Sequence, residues 1–575
     1  MIVTPALRAQ VVPPPGSEVP IPPKPKTDTT GADTIRVKTD TIKPPIGRAK
    51  DPRTADIGPQ YTWNRDELFA SGALNVAELI ERVPGATSFT TGGLNTAKFI
   101  GVNGDLNRVR IFYDGIEFDN LDAKTAPLLD LNSIQLWTLE SVSIERAANE
   151  LRVHLRTWQV DRTVPYTRVD VSTGDENTDI YRGFYGKRFG GGQVLQAGAN
   201  QYGNTARYGG GGDALSIFAR IGTAGKRWSV DAAGVTTNLT RTSQPSFGAG
   251  SPIPSFEASH RLVYLRAAYG NVADGPWAEA IASTQRLKDK TPRAASDSSE
   301  TTTRRNQFIL TAGLTRGPLR ASVSDRVRAV SGDVFHSPAG RLEFSQPFGI
   351  AGLFLESDGL TSTSRADAIF RLNPIGGVAI AGSLSRISPD SGAAMTALRL
   401  EAGMRIRNPW LSVGFITRDT ASLPGLRYVD AAYIPTETGK RSGLFVALRG
   451  PLYRQLAIDV VATRWDSVDT FRPRFQVRSE LSINTSWLSR FPSGNFGLHA
   501  SVVYDYRGRT AFPTAAGPRL TAGSSIFSGV LEIRILSGVA SYRVTNMGYA
   551  AYQLVPDFYM PRTIQIYGLR WAFWN

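Results

Sequence analysis

The chain has 575 residues, 41% of them hydrophobic, a formal net charge of +15 and no cysteine. That length exceeds one compact soluble core, and the missing thiols exclude disulfides, thiolate metal sites and cysteine nucleophiles. No run approaches the ~18 consecutive apolar residues of a spanning helix; 56 Gly with 10 Trp, 19 Tyr and 26 Phe fit instead alternating barrel strands, in which every second residue meets lipid.

Residues 1–10, MIVTPALRAQ, resemble the tail of a secretory signal sequence ending near Ala9. Residues 11–58 are rich in Pro, Thr and Lys, a composition too poor in apolar surface to fold alone, and are expected to be an extended, disordered linker. Within it, Asp33-Thr34-Ile35-Arg36-Val37 is echoed by Asp40-Thr41-Ile42-Lys43.

Residues 59–160 read as a small α+β unit. Val76, Leu79, Ile80 and Val83 fall at i, i+3, i+4 and i+7, the apolar face of a short helix capped by Asn75 and ended by Pro84-Gly85. Short strands follow at Lys98 to Val102 and Val109 to Tyr113, and Asp114-Gly115 is the tight-turn dipeptide that leads Ile116-Glu117-Phe118 back as a hairpin. A turn at Leu131 to Ile134 precedes a strand from Leu139 to Arg146.

From residue 161 to 575 the period becomes two. Phe475, Val477, Leu481 and Ile483 share one face of a strand, with Arg474, Gln476, Arg478 and Glu480 on the other. At the C-terminus, Tyr567, Leu569, Trp571 and Phe573 alternate with Gly568, Arg570 and Ala572. About twenty-two such segments can be marked; at ~10 residues per spanning strand they fill the region with short loops, and sixteen or eighteen strands with longer loops fit the length equally. Trp487 and Phe496, beside one turn, suit an interfacial aromatic girdle. The fold class expected is therefore mainly β: a transmembrane antiparallel β-barrel, most simply of 22 strands, with a small α+β unit ahead of it.

The succession Ala77-Glu78-Leu79-Ile80-Glu81-Arg82-Val83-Pro84-Gly85, then Tyr113-Asp114-Gly115-Ile116, then Leu139 to Arg146, resembles the plug domain of TonB-dependent outer-membrane receptors. Met560-Pro561-Arg562-Thr563 with Gly568 to Trp574 resembles that family's closing strand, and Tyr542 to Tyr549 its last periplasmic turn. The family's Ile-Arg-Gly is reduced here to Ile100-Gly101. The resemblance implies a plug inside the barrel and an outer membrane of Gram-negative type. It makes Leu79, Pro84, Gly85, Asp114, Gly115 and Glu145 structural plug markers and Asp33 to Val37 a TonB box. It also implies a TonB-like energising partner that binds the box by strand addition, the barrel-assembly machinery, outer-membrane lipid or lipopolysaccharide, and an unidentified small-molecule ligand.

The four His are dispersed, Gly209 to Gly212 lacks the Lys-Ser/Thr of a phosphate loop, and no nucleophile elbow is present. No enzyme activity, metal or cofactor is therefore expected. Arginines spread singly through strand-like segments argue against nucleic acid; a basic lumen or basic rims against anionic headgroups accommodate the charge. The function expected is energised uptake of a polar or anionic solute, with Arg474, Arg478 and Arg570 as lumen-facing candidates. The alternatives are a plugged barrel serving as a non-transporting envelope scaffold, or a passive porin.

Overall fold

The computed structural model describes residues 40–126, 128–270, 272–291 and 300–574, so the Asp33 to Val37 segment lies outside the described residues. Strands from Tyr166–Gly174 to Ile564–Trp574 form a closed ring of 22, each antiparallel to its neighbours. The last strand closes it on the first, from Ile566 opposite Gly174 to Trp574 opposite Tyr166. Alternation decides the two faces: Ile217 and Ile221 are 53% and 60% exposed, while Phe218 and Arg220 between them are buried. The outward set meets hydrocarbon and the inward set meets a filled bore. Tyr567, Leu569, Trp571 and Phe573 all turn outward and are exposed.

The barrel begins and ends at one mouth, where Tyr166 packs against Trp574. At that near mouth most turns are tight, as at 317–318 and 536–537, whereas the far mouth carries the long connections 242–255, 419–440, 508–523 and 546–563. Residues 542–549 depart from the sequence expectation. They run from a strand end into the 546–563 connection at the far mouth, and the last near-mouth turn is Leu536–Ser537. Turn chemistry alone carries no sense of up or down; only the parity of the strand count does.

The bore holds a five-stranded sheet ordered Thr62–Asn64, Leu139–Arg146, Leu151–Thr157, Val109–Tyr113, Ile116–Glu117, with helices Arg65–Ala70 and Val76–Ile80 and a hairpin, Ala86–Thr90 with Lys98–Val102. Asn64 makes a full capping box with Glu67, and Asn75 Oδ1 accepts the Glu78 N–H at 3.3 Å. Val76, Leu79, Ile80, Ile111, Val142, Ile144 and Val153 build a core continuous with Phe218, Leu262, Tyr264 and Ile281 of the wall. Each such side chain contributes roughly 1.5–3 kcal/mol on burial, so apolar contact as well as ion pairs holds the plug.

Residues 40–58 also differ from expectation. The composition predicts a disordered linker, yet Ala55 is buried, Ile46 packs on Val194 and Ala224 of the wall, and Ile57 packs on Ala379 and Ala381. Gly47 N–H donates to Ser229 Oγ at 2.8 Å, Ala49 N–H to Glu279 at 2.9 Å and Arg53 N–H to Glu343 at 3.1 Å, while Arg449 donates to the Pro59 carbonyl at 2.6 Å. An extended strap leaves its backbone groups unpaired, and inward polar side chains of the wall satisfy them.

Candidate binding site above the plug

Asp114 and Gly115 sit in the hairpin turn with φ of 49° and 86°, the left-handed pair that a two-residue turn needs. The turn aims Asp114 at the wall. Its carboxylate accepts from Arg48 (3.0 Å), the Thr157 N–H (3.0 Å), Arg220 (3.0 Å) and the Tyr264 hydroxyl (2.7 Å). Burial pushes the carboxyl up, but Arg220, Arg48 and Arg266 outweigh it and hold it well below the usual range. Elsewhere in the plug, Glu145 is clamped by Arg341 at 2.8 and 3.0 Å, Leu79 is buried in the core, and the Gly85 carbonyl accepts the Asn103 N–H at 2.9 Å. Pro84 is buried beside that turn.

On the far-mouth side of the plug lies a cavity of about 870 Å³. Its floor is plug, around Arg110, Glu117 and Asp119; its wall carries Arg305, Arg328 and Arg365; residues 420–422 and 437–439 of a long connection line it too. Five arginines and five carboxylates line it, a balanced rather than a basic surface. Arg110 bridges Glu117 (2.6 and 3.0 Å) to Glu356 of the wall (2.7 and 2.9 Å), and Arg326 joins the same two carboxylates at 2.5 and 2.7 Å. Arg328 reaches Glu117 and, at 3.0 Å, Asp358. Burial raises the carboxyl of Asp119, and neighbouring Glu117 adds to this against the pull of Arg328.

Arg110 and Glu117 line the upper cavity, and Arg326 and Glu356 line a second, of about 210 Å³, between plug and wall on the near-mouth side. The four-membered ion cluster therefore stands between the two spaces, and the strap residues Arg48 to Pro52 border the lower one.

Of the lumen candidates, Arg478 lies inward with Asp505 at 3.6 Å, and Arg570 pairs with Glu532 at 3.0 and 2.9 Å while its guanidinium stands 5.1 Å from the Phe69 ring of the plug. Arg474 does not join them: it precedes the strand Phe475–Thr485 and is exposed at the far mouth, outside the filled bore. The lumen is thus not simply basic: inward arginines such as Arg478 and Arg570 meet carboxylates, while Arg188, Arg418 and Arg507 donate to backbone carbonyls or hydroxyls. Sequence reasoning missed Arg110, Glu117, Arg326, Arg328, Glu356 and Asp358. The available signal was charge at i and i+2 on inward strand faces, as at Arg326/Arg328 and Glu356/Asp358. His154 stacks on Phe112 at 5.2 Å with its Nε2 3.6 Å from Glu145, and His260 packs at a tilt against Phe118 at 4.6 Å.

Residues 57–154 match the family model of the TonB-dependent receptor plug domain. A five-stranded plug filling a closed 22-stranded barrel decides the architecture. The chain has the fold of a TonB-dependent outer-membrane receptor. In that fold the mouth at which the barrel begins and ends is the one that faces the periplasm. Among solved structures, the FrpB iron transporter of Neisseria meningitidis matches with a TM-score of 0.68 at 10% identity, covering 90% of this chain and 100% of that one. The siderophore receptor PirA of Acinetobacter baumannii gives 0.68 at 11%, covering 89% and 98%, and a mutant ferric enterobactin receptor of Pseudomonas aeruginosa gives 0.69 at 10%, covering 91% and 100%. Among curated proteins none matches this chain by sequence.

Proposed function

We propose that this receptor imports a polar small solute across the outer membrane with energy delivered from the periplasm. The solute enters the 870 Å³ cavity from the far mouth and bonds to floor and wall groups already paired with each other. Arg110, Glu117, Arg326 and Glu356 then bar the way to the lower space. Opening that bar requires plug and wall to part locally, and breaking buried ion pairs costs several kcal/mol, which is why external work is needed. The observation that carries this reading is the pair of cavities divided by one plug-to-wall ion cluster. The balanced lining favours a polar, zwitterionic or chelated solute over a simple anion. The site's charged groups pair with one another, and no chemical step is assigned to them.

A TonB-like protein engaging Asp33 to Val37 would pull on the strap at residues 40–58. The test removes residues 33–37 and compares cells carrying each form in rich medium by untargeted mass spectrometry. Energised import is supported if at least one polar solute is depleted by the intact receptor and not by the deletion, while both bind it at the surface. Equal depletion by both forms would indicate a passive porin; depletion by neither, a scaffold.

A further inference from the structure

We infer that Arg261, Arg286 and Arg304, on the outside of the barrel, form a docking site for the phosphorylated headgroup of an outer-leaflet lipid. The three belong to the adjacent strands Phe256–Gly270, Gly275–Asp289 and Thr301–Arg316. Arg261 is directly opposite Arg286, and Arg286 directly opposite Arg304, so the register draws three guanidiniums into one row. All are exposed and share the outward parity of Val263, Leu265, Phe308 and Leu310.

Like charges directly opposite on one sheet face destabilise it, and this row holds them twice over. Nearby carboxylates do not relieve it. Glu300 pairs with Lys288 at 2.5 Å and Glu257 with Lys290 at 3.0 Å, and among the described residues no carboxylate pairs with any of the three arginines. Thr284 Oγ1 and Asn306 Oδ1 accept from Arg304 Nε at 3.2 and 3.1 Å, fixing the inner edge of that guanidinium.

The row's height identifies its partner. Arg261 stands nine residues up its strand from Gly270 at the periplasmic turn, which at ~3.3 Å per residue and a ~40° tilt is roughly 23 Å, the edge of an apolar band about 25 Å tall. Phosphates of the outer-leaflet headgroups lie there. A forked guanidinium binds phosphate oxygens in pairs, and a bound phosphate would offset the repulsion within the row.

The test uses the full chain in neutral detergent with three probes: bis-phosphorylated lipid A, its phosphate-free form, and inorganic phosphate. Native mass spectrometry is expected to show lipid A retained by the wild type and held about tenfold or more weakly by R261Q/R286Q/R304Q. R316Q, outward on the same strand at the other mouth, should bind as wild type does. Without lipid the triple variant should melt no lower than wild type, and only the wild type should gain stability from lipid A. Equal retention by the triple variant, or equal retention of the phosphate-free lipid, overturns the assignment. So does displacement of lipid A by inorganic phosphate at equal concentration, which would mean that free phosphate is the ligand. Should the triple variant not fold, R286Q and the phosphate-free lipid on wild-type protein separate the same outcomes.

Discussion

Asp114 of the plug and Arg220 of the barrel wall meet at 3.0 Å, with neither side chain exposed to solvent. Arg48 approaches the same carboxylate at 3.0 Å, and Arg266 donates to the Asp114 carbonyl at 2.8 Å. One hairpin turn thus fastens strap, plug and wall together. Asp114→Asn would leave Arg220 buried with one partner fewer, a loss of about 3–5 kcal/mol. The expected outcome is trypsin cleavage within the plug at protease levels that spare the wild type, with the barrel still resisting SDS until heated.

Arg110 and Glu356 make two hydrogen bonds of 2.7 and 2.9 Å across the plug-to-wall seam. Each of Arg110→Gln and Glu356→Gln is expected to destabilise plug docking by roughly 3 kcal/mol, and the double variant by clearly less than their sum. Urea titration of plug release provides the cycle. Strict additivity would mean that the pair does not act as a unit.

The acid dependence follows from the plug carboxylates. Burial alone raises Glu117, Glu145 and Glu150, but Arg110 and Arg326, Arg341 and Arg152, and Arg152 and Arg110 respectively hold them below the usual range. Glu78 is likewise pushed up by burial yet brought down to about 2 by Arg543 and Lys98. For groups lowered by folding, the stabilisation is complete above the unfolded value near ~4 and is lost as pH falls toward the folded one. Asp119 and Asp122, raised by burial, act in the opposite sense and are relieved by acid. With the lowered groups in the majority, conductance through planar bilayers should stay low from pH 7 to about 5 and rise below about 4. A rise already at pH 6 would contradict this balance.

Closure of the ring depends on Gly568. A Cβ there would lie 2.1 Å from Ser172 Oγ and 2.7 Å from the Val171 carbonyl oxygen, and the latter is backbone that cannot swing away. Gly568→Val should therefore impair pairing of the last strand with the first and deplete the heat-modifiable barrel in outer membranes. Gly340→Val, whose added Cβ meets nothing within 4 Å, should assemble normally.

The fold was legible because both periodicities act locally. The face of Val76, Leu79 and Ile80, the Asp114-Gly115 turn and the alternation from Tyr567 to Phe573 each need only neighbours in sequence. The site was not legible, since Arg110 finds Glu356 across 246 positions and only the register of the closed ring brings them together. Parity also explains the two misplacements. Tyr542 to Tyr549 has the composition of a turn at either mouth, and Arg474 has inward parity one residue before its strand begins, where the bore has already opened. The strap at residues 40–58 escaped for a different reason. Its partners are wall side chains, so its own composition reads as unfoldable.

The plug lies inside the closed ring, and a cysteine-free chain permits a direct test of that placement. A Cβ built at Gly198 of the wall would lie 3.0 Å from Cγ2 of Thr138 in the plug, about the separation of a Cβ from the far sulfur across an S–S bond of ~2.05 Å. T138C/G198C, oxidised in intact outer membranes, should form the intramolecular disulfide nearly completely, with loss of thiol labelling that reductant restores. Full labelling of both thiols under oxidation, in a receptor whose barrel is folded, would place the plug outside the bore and contradict the account.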